Sequence, residues 1–561
     1  MNKKVMIVLI CGIIPRSAVA TVLPDTGSVS GQLLQNNPML NSTPPPRAED
    51  SVTLPAPEPA EKENKKDGPQ LYVSRIKIND LPLSAAPDVN LLLAHYRHQN
   101  MTLNQLRNIA IDITALIQAK GERLSYAYVP DQKITHGVVT INVMQGFIEA
   151  IRIHRNRSLV SDATVNRYVE EMIAFKNKIQ AVDSALLKIS DLPGVGNISS
   201  FLRPGKQPGS SALWLDLTPS RRVTGALVFD NMGSLSSGRD RIGAQINLNS
   251  PFGIGDRFQA LVYAAPDFLQ TTHDSDKGNT LIGRLAYDAA LGGRGQRLGL
   301  AASRVSYKLG GPALRGVGDG YASIFSLYGS YPLVRSAMRN LTVGFNLDFK
   351  RLQDNFWGMK NARRAELLAL EFSADRQGRV WENPTFFQYQ IAPAVGRLEN
   401  SDDWNGGDTK GRYFKLNETA HYLLGLSPGI TLSMNFSGQQ ASRNLDGAEK
   451  LSLGGPYAVR AYSNSAASVD SGWIASPSLR LSVPEMENTT VELFYDYARG
   501  KLQKYAPVSQ EVTLKGYGVG LNDNVATWGF IHGSYGWRQG RDKLVTPQNK
   551  ATAWLTMGVF F

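Results

Sequence analysis

Cysteine is all but missing from this sequence: its 561 residues contain one, Cys11. That residue falls inside a stretch that reads as a removable leader. The mature chain is therefore expected to have no thiol, which excludes disulfides, thiol catalysis and cysteine-ligated metals together. Long apolar runs are lacking too. Past the leader nothing approaches the roughly 18 apolar residues of a spanning helix, and the mean hydropathy is −0.22. Transmembrane strands, whose signal per segment is far weaker, are not excluded. No G-x-S-x-G, H-E-x-x-H or phosphate-loop motif occurs, so no enzyme, cofactor or metal site is expected. Clustered charge is also scarce. With Lys3, Lys4 and Arg16 set aside as part of the leader, 57 of the 60 basic residues remain against 48 acidic ones, a net charge of about +9. These are dispersed, with nothing longer than pairs such as Lys65-Lys66 and Arg221-Arg222, unlike the basic face of a nucleic-acid binder.

What is present falls into successive regions. The start, MNKK, then the apolar Val5 to Ile14, then Ala18-Val19-Ala20, has the three zones of a secretory signal peptide over residues 1–20, with the mature chain starting near Thr21. Ile10 before Cys11 argues against a lipoprotein, which needs a small residue there. Within 21–37, Asp25-Thr26-Gly27-Ser28 precedes Val29, Leu33 and Leu34, which predicts one short helix with a weak apolar face. Residues 38–70, with Pro44-Pro45-Pro46, Pro55, Pro57, Pro59 and then EKENKKDG, cannot bury a core and read as an extended linker.

Two α+β units of like order follow, each strand, helix, helix, strand, strand. The first, 71–146, has strand Leu71 to Ile78 and a helical piece from Val89 to Tyr96. A second helix carries Leu103, Leu106, Ala110, Ile113 and Ile117, opened by the capping pair Thr102 and Gln105. Strands Leu124 to Val129 and Gly137 to Met144 complete it. In the second, 147–220, strand Phe147 to His154 leads to helices marked by Val165, Val169, Met172 and by Ile179, Val182, Leu186, Ile189. Pro193-Gly194 stops them, and strands Asn197 to Leu202 and Ala212 to Leu217 finish the unit. Each small sheet should leave an edge open.

From 221 to 561 about sixteen segments alternate in polarity, and their connections alternate in length. Tight links such as Asn249 to Gly253, Leu291 to Arg294 and Ser427 to Gly429 exchange with long polar loops at Asp267 to Gly278, Glu399 to Gly411, Ala441 to Gly472 and Arg538 to Lys550. Short turns on one side and long loops on the other describe an outer-membrane barrel with an even number of antiparallel strands, its long loops outside. At the end Ala553, Leu555, Met557, Val559 and Phe561 form an apolar face of period two, suited to a lipid bilayer. A soluble antiparallel sandwich would alternate too, but that loop asymmetry is foreign to it.

Few residues suggest chemistry. His95 and His98 lack a third ligand nearby and read as solvent-facing. Asp274, Asp276 and Gly278 imitate the start of a calcium loop that has no closing acid. Two places stand out because a barrel makes ionisable residues costly. One is the glycine-rich Leu453 to Tyr462, with Arg460 among aromatics; the other is the strand Thr490 to Tyr497, where Asp496 shares a face with Phe494. With Tyr495 and Tyr497 toward lipid, Asp496 would point into the lumen, and Arg460 could reach it if the loop folds inward.

Several of these segments carry a family likeness. Val459-Arg460-Ala461-Tyr462 resembles a VRGY loop motif, and Phe494-Tyr495-Asp496-Tyr497-Ala498 an F-x-D-x-G strand motif, each with alanine for glycine. Asp230 to Ser234 with Ser237-Gly238, and then Asn249 to Asp256, look like a first barrel hairpin. Asp191-Leu192-Pro193-Gly194-Val195 looks like a helix end, and Pro24 to Ser28 like the start of an amino-terminal helix. The family so resembled is the two-partner secretion transporters (TpsB type, haemolysin/haemagglutinin secretion-activation), whose superfamily joins periplasmic POTRA domains to an outer-membrane barrel. The resemblance implies that 21–37 is a plug helix inside the barrel, that 71–146 and 147–220 are POTRA domains, and that Arg460 and Asp496 pair in the lumen with Val459, Tyr462 and Phe494 around them. It also implies export of one large exoprotein (an adhesin, haemolysin, haem-binding protein or contact-dependent toxin) without nucleotide hydrolysis, and insertion by the outer-membrane assembly machinery. The exoprotein would be caught on a POTRA edge, with Tyr126, Tyr128, Ile198 and Phe201 as candidate contacts. The alternatives are an insertase of the same superfamily and a passive porin.

Overall fold

Period-two sequence dominates the chain, and strands dominate the structure. The computed structural model describes Thr26 and residues 69–561, except 174–178, 235, 266–277, 311–313, 401–406, 487, 509, 526–527, 541 and 546–548. The expected leader, the plug helix apart from Thr26, the linker up to 68, and Asp274 and Asp276 lie outside the described residues.

The first unit holds β1 (Leu71–Val73), β2 (Arg75–Asn79), α1 (Ala86–Ala94), β3 (Gln99–Met101), α2 (Leu103–Ala119), β4 (Tyr126–Tyr128) and β5 (Val138–Met144). The single strand expected from Leu71 to Ile78 is broken at Ser74, whose backbone N–H donates to Gly137 O at 2.8 Å and whose hydroxyl donates to His136 O at 2.8 Å. These bonds divert the chain, so β1 pairs with β3 while β2 joins the sheet β2-β5-β4. Helix α2 starts where its sequence says: Thr102 Oγ1 accepts from Gln105 N, and Gln105 Oε1 accepts from Thr102 N at 2.7 Å. Its apolar stripe, Leu106, Ile109, Ile113 and Ile117, is buried on Val139 and Ile141.

In the second unit β6 (Phe147–Asn156), α3 (Asp162–Ile173), α4 (Ile179–Ser190), β7 (Val195–Pro204) and β8 (Ser210–Pro219) build the sheet β6-β8-β7 with both helices on one face. Strands β7 and β8 run longer than the sequence suggested at both ends, and β6 at its far end alone.

Sixteen strands then close into an antiparallel barrel: β9 (Val223–Asp230), β10 (Arg241–Asn249), β11 (Arg257–Ala264), β12 (Asn279–Leu291), β13 (Gln296–Lys308), β14 (Gly318–Arg335), β15 (Arg339–Phe356), β16 (Met359–Val380), β17 (Asn383–Asn400), β18 (Gly411–Ser427), β19 (Ile430–Ala441), then β22 (Ser471–Ser482), β23 (Thr489–Lys501), β24 (Glu511–Val525), β25 (Gly529–Arg538) and β26 (Ala551–Phe560). The ring is sealed where β26 meets β9, from Thr556↔Asp230 to Phe560↔Ala226. Leu555, Met557 and Val559 face outward while Trp554 and Thr556 are buried, the alternation a barrel wall needs between lipid and lumen. Between β19 and β22, residues 442–470 carry the two-residue strands β20 (Leu451–Ser452) and β21 (Ser468–Val469).

The short turns lie at the end held by the second unit. Arg335 Nε and Nη2 donate to Asp191 at 2.7 and 2.9 Å, Arg294 Nε donates to Glu171 at 3.0 Å, and Ser161 N donates to Gly253 O at 2.8 Å. The loop 442–470 therefore enters the barrel from the other end. Among the described residues no helix is long and apolar enough to cross a membrane.

Candidate functional site in the barrel lumen

Loop 442–470 is folded into the barrel and tied to its wall along two arcs. The first arc is β23 to β26. Strand β23 alternates strictly here: Tyr495 faces out, while Phe494 and Asp496 face in with 5% and 0% exposure. Arg460 donates to Asp496 through Nε (3.0 Å), Nη2 (2.9 Å) and its own backbone N–H (2.9 Å). Its Nη1 lies 3.3 Å from Glu492 Oε2, and its Cζ sits 3.3 Å from the centre of the Phe494 ring. A fork-shaped cation held by a bidentate carboxylate and stacked on an aromatic face is fixed in direction as well as position. The backbone around it is fixed too, since Trp554 Nε1 donates to Arg460 O (2.8 Å) and the Thr552 hydroxyl to Ala461 O (3.1 Å). Val459 and Tyr462 are buried beside it.

The alanines at the two expected glycine positions are accommodated without strain, because neither has a positive φ. Room for Ala461 is made by the wall: a Cβ on Gly516 of β24 would stand 2.5 Å from Ala461 Cβ, and one on Gly536 of β25 would stand 3.0 Å from Ala461 N. No sequence reading singled out these two glycines, since nothing local distinguishes them from other strand glycines.

The second arc is β15 to β18. A single 3-10 turn, Gly447–Glu449, is capped by Asp446, whose side chain accepts from Ala448 N. Glu449 lies between Lys350 Nζ (2.6 Å) and Lys415 Nζ (2.7 Å), with Glu449 and Lys415 buried and Lys350 half-buried. Arg363 of β16 bridges Asp446 Oδ2 (2.6 Å) and Asp354 of β15. Asp354 also accepts from Tyr307 OH (2.8 Å) and from the backbone N–H of Thr26 (2.7 Å). Thr26 is helical and fully buried, so Thr26 directly, and the loop through Arg363, are both tied to the Asp354 carboxylate. This cluster was invisible in sequence because its members come from six separate segments with no common motif.

Of the other expected residues, Tyr126 and Tyr128 lie on β4, the edge of the first sheet, with ring centres 6.1 Å apart. Ile198 and Phe201 lie on β7, the edge of the second. Ile198 is turned into the core at 4% exposure, which leaves its backbone alone for any contact; Phe201 is on the open face. His95 and His98 are occupied by Leu91 O (3.1 Å) and Tyr72 OH (3.1 Å), and no metal-holding group occurs among the described residues.

Comparison with known proteins now decides the lineage. The model of the haemolysin secretion/activation protein ShlB/FhaC/HecB matches residues 209–522, and that of the ShlB-type POTRA domain matches 71–146. The chain belongs to the haemolysin secretion/activation family. Members similar along most of its length include the heme/hemopexin transporter protein HuxB of Haemophilus influenzae (strain 86-028NP), 24% identical over 91% of this chain and 90% of that protein. The hemolysin transporter protein ShlB of Serratia marcescens is 24% identical over 73% and 72%. In fold the chain is similar to CdiB from Escherichia coli (TM-score 0.68, 18% identity, 97% of this chain and 100% of that one). This family member is an outer-membrane transporter of two-partner secretion, with its POTRA region in the periplasm.

Proposed function

We propose that the protein catches an extended segment of one dedicated secreted protein on its periplasmic sheet edges and passes it through the barrel, with loop 442–470 as the gate. The observation that carries this reading is the Arg460 anchor, which holds a loop across the lumen by contacts that must be undone before a polypeptide can pass. A plug helix expected over 21–37 would be a second obstruction, freed when Thr26 leaves Asp354. Affinity for the cargo comes from main-chain hydrogen bonds to β4 and β7. Neither nucleotide hydrolysis nor catalysis is required, because folding outside the cell biases the direction of movement. The relatives' names suggest a heme/hemopexin-related protein or a haemolysin as cargo, the family resemblance adds an adhesin or a contact-dependent toxin, and the barrel itself is inserted by the outer-membrane assembly machinery.

The test is secretion of a co-expressed partner's amino-terminal fragment by Arg460→Ala, Asp496→Ala and the double variant. Each single change is expected to stop secretion while the barrel still assembles, and the double change to add little, since the two residues act as one unit. Normal secretion by all three would reject the gate.

A further inference from the structure

The sheet β6-β8-β7 has one face under α3 and α4, where Leu213, Leu215 and Leu217 are buried. Those helices also make the contacts to the barrel turns, so the other face of the sheet points away from the barrel. That face is not the usual scatter of polar residues. Trp214 stands at its centre, directly between Phe201 of β7 and Arg152 of β6. The Arg203 guanidinium lies 5.0 Å from the Trp214 ring and 5.3 Å from the Phe201 ring, with Arg152 5.7 Å from Trp214 on the other side. His154 meets Phe201 and Trp214 edge-on at 5.6 and 5.9 Å and bonds to Asp216 at 2.8 Å. Neither Arg152 nor Arg203 pairs with a carboxylate among the described residues; the nearby Glu149 is taken by the Ser210 hydroxyl (2.6 Å) and Lys206 N (2.8 Å). An arginine lying over a ring keeps the N–H groups at its rim free for an acceptor.

In an added strand alternate side chains fall on this face, beside those of β7. We propose that β7 reads the side chains of its cargo as well as its backbone: a segment added antiparallel to β7 sets an acidic residue beside Arg203 and, two residues later, an aromatic one beside Phe201. The second periplasmic unit thus selects segments of the form acidic-x-aromatic. This rests on the edge-addition reading above, and the experiment separates the two.

The full-length protein in nanodiscs is titrated into a short fluorescent peptide of alternating Thr and Val that carries one Glu and, two residues on, one Phe. A second peptide has Lys in place of the Glu, and a third repeats the first with alternate backbone nitrogens methylated. The intact protein is expected to favour the Glu peptide; Arg203→Glu should weaken it roughly tenfold and favour the Lys peptide, and Phe201→Ala should weaken it roughly threefold. Both positions are on the surface of the sheet, so the variants fold. If methylation abolishes binding but Glu and Lys peptides bind alike, edge addition stands and side-chain selection is overturned. If the methylated peptide binds as well as the first, or none binds, both fall.

Discussion

The two anchors of the lumenal loop are built on opposite plans. On β23 one cation, Arg460, is shared by two acids, Asp496 and Glu492; on β15 and β18 one acid, Glu449, is shared by two lysines. A guanidinium presents a rigid planar fork, so the first anchor sets the loop's direction, and the Phe494 ring beneath it leaves little freedom to turn. Ammonium groups on flexible stems impose no such direction. The lysine contacts therefore tether the loop, and its direction on this side rests on Arg363, which holds Asp446 at the cap of the same turn. Orientation matters where a gate must open and close on one path, and tethering matters where the loop must not leave the lumen.

Removing one acid at each anchor should separate these roles most sharply. Glu449→Ala leaves the buried Lys415 without a carboxylate and Lys350 with only Asp348 at 3.9 Å, a loss of about 3 to 5 kcal/mol. Asp496→Ala leaves Arg460 still facing Glu492 and costs less. The temperature at which the purified barrel loses its folded electrophoretic mobility should fall further for Glu449→Ala, whereas single-channel current should become noisier for Asp496→Ala. A reversed order would mean that the arginine carries both roles.

A smaller effect is expected from crowding the first anchor without touching its charges. Gly516→Ala would place a methyl 2.5 Å from Ala461 Cβ, and such overpacking costs on the order of 1 to 3 kcal/mol. Protease access to the loop should rise and secretion fall. Adding Ala461→Gly should restore both, because the double variant only moves the methyl from loop to wall. Failure of that rescue would locate the damage in the β24 ladder instead.

How much of this could be read in the sequence follows the same division. The barrel was legible because period-two polarity and alternating connection lengths are properties of consecutive residues. The Arg460 anchor was legible in part: an arginine among glycines and aromatics, and an aspartate facing inward on a strand of outward tyrosines, are each conspicuous alone. The Glu449 anchor was not, since Lys350, Lys415 and Glu449 are ordinary charged residues until closure of the barrel brings β15, β18 and the loop together. Ser74 escaped notice for a related reason: the bonds that break the first strand come from His136 and Gly137, more than sixty residues away. The inward turn of Ile198 was implied by alternation with Phe201, since residues three apart on a strand face opposite ways.

The finest test of the comparison is whether the two lysines truly share one charge. Lys350→Met and Lys415→Met each leave Glu449 with one partner at 2.6 or 2.7 Å, so each alone should cost on the order of 1 kcal/mol. The double change strands the carboxylate in a buried site and should cost more than the sum of the two, by the non-additivity expected of residues in contact. Thermal melts of the three variants in the same detergent measure that coupling. Strict additivity would mean that Glu449 is held by the Gln439 contacts to the loop backbone (3.0 Å to Glu449 O, 3.1 Å to Asp470 O), and that the lysines serve only to neutralise the lumen.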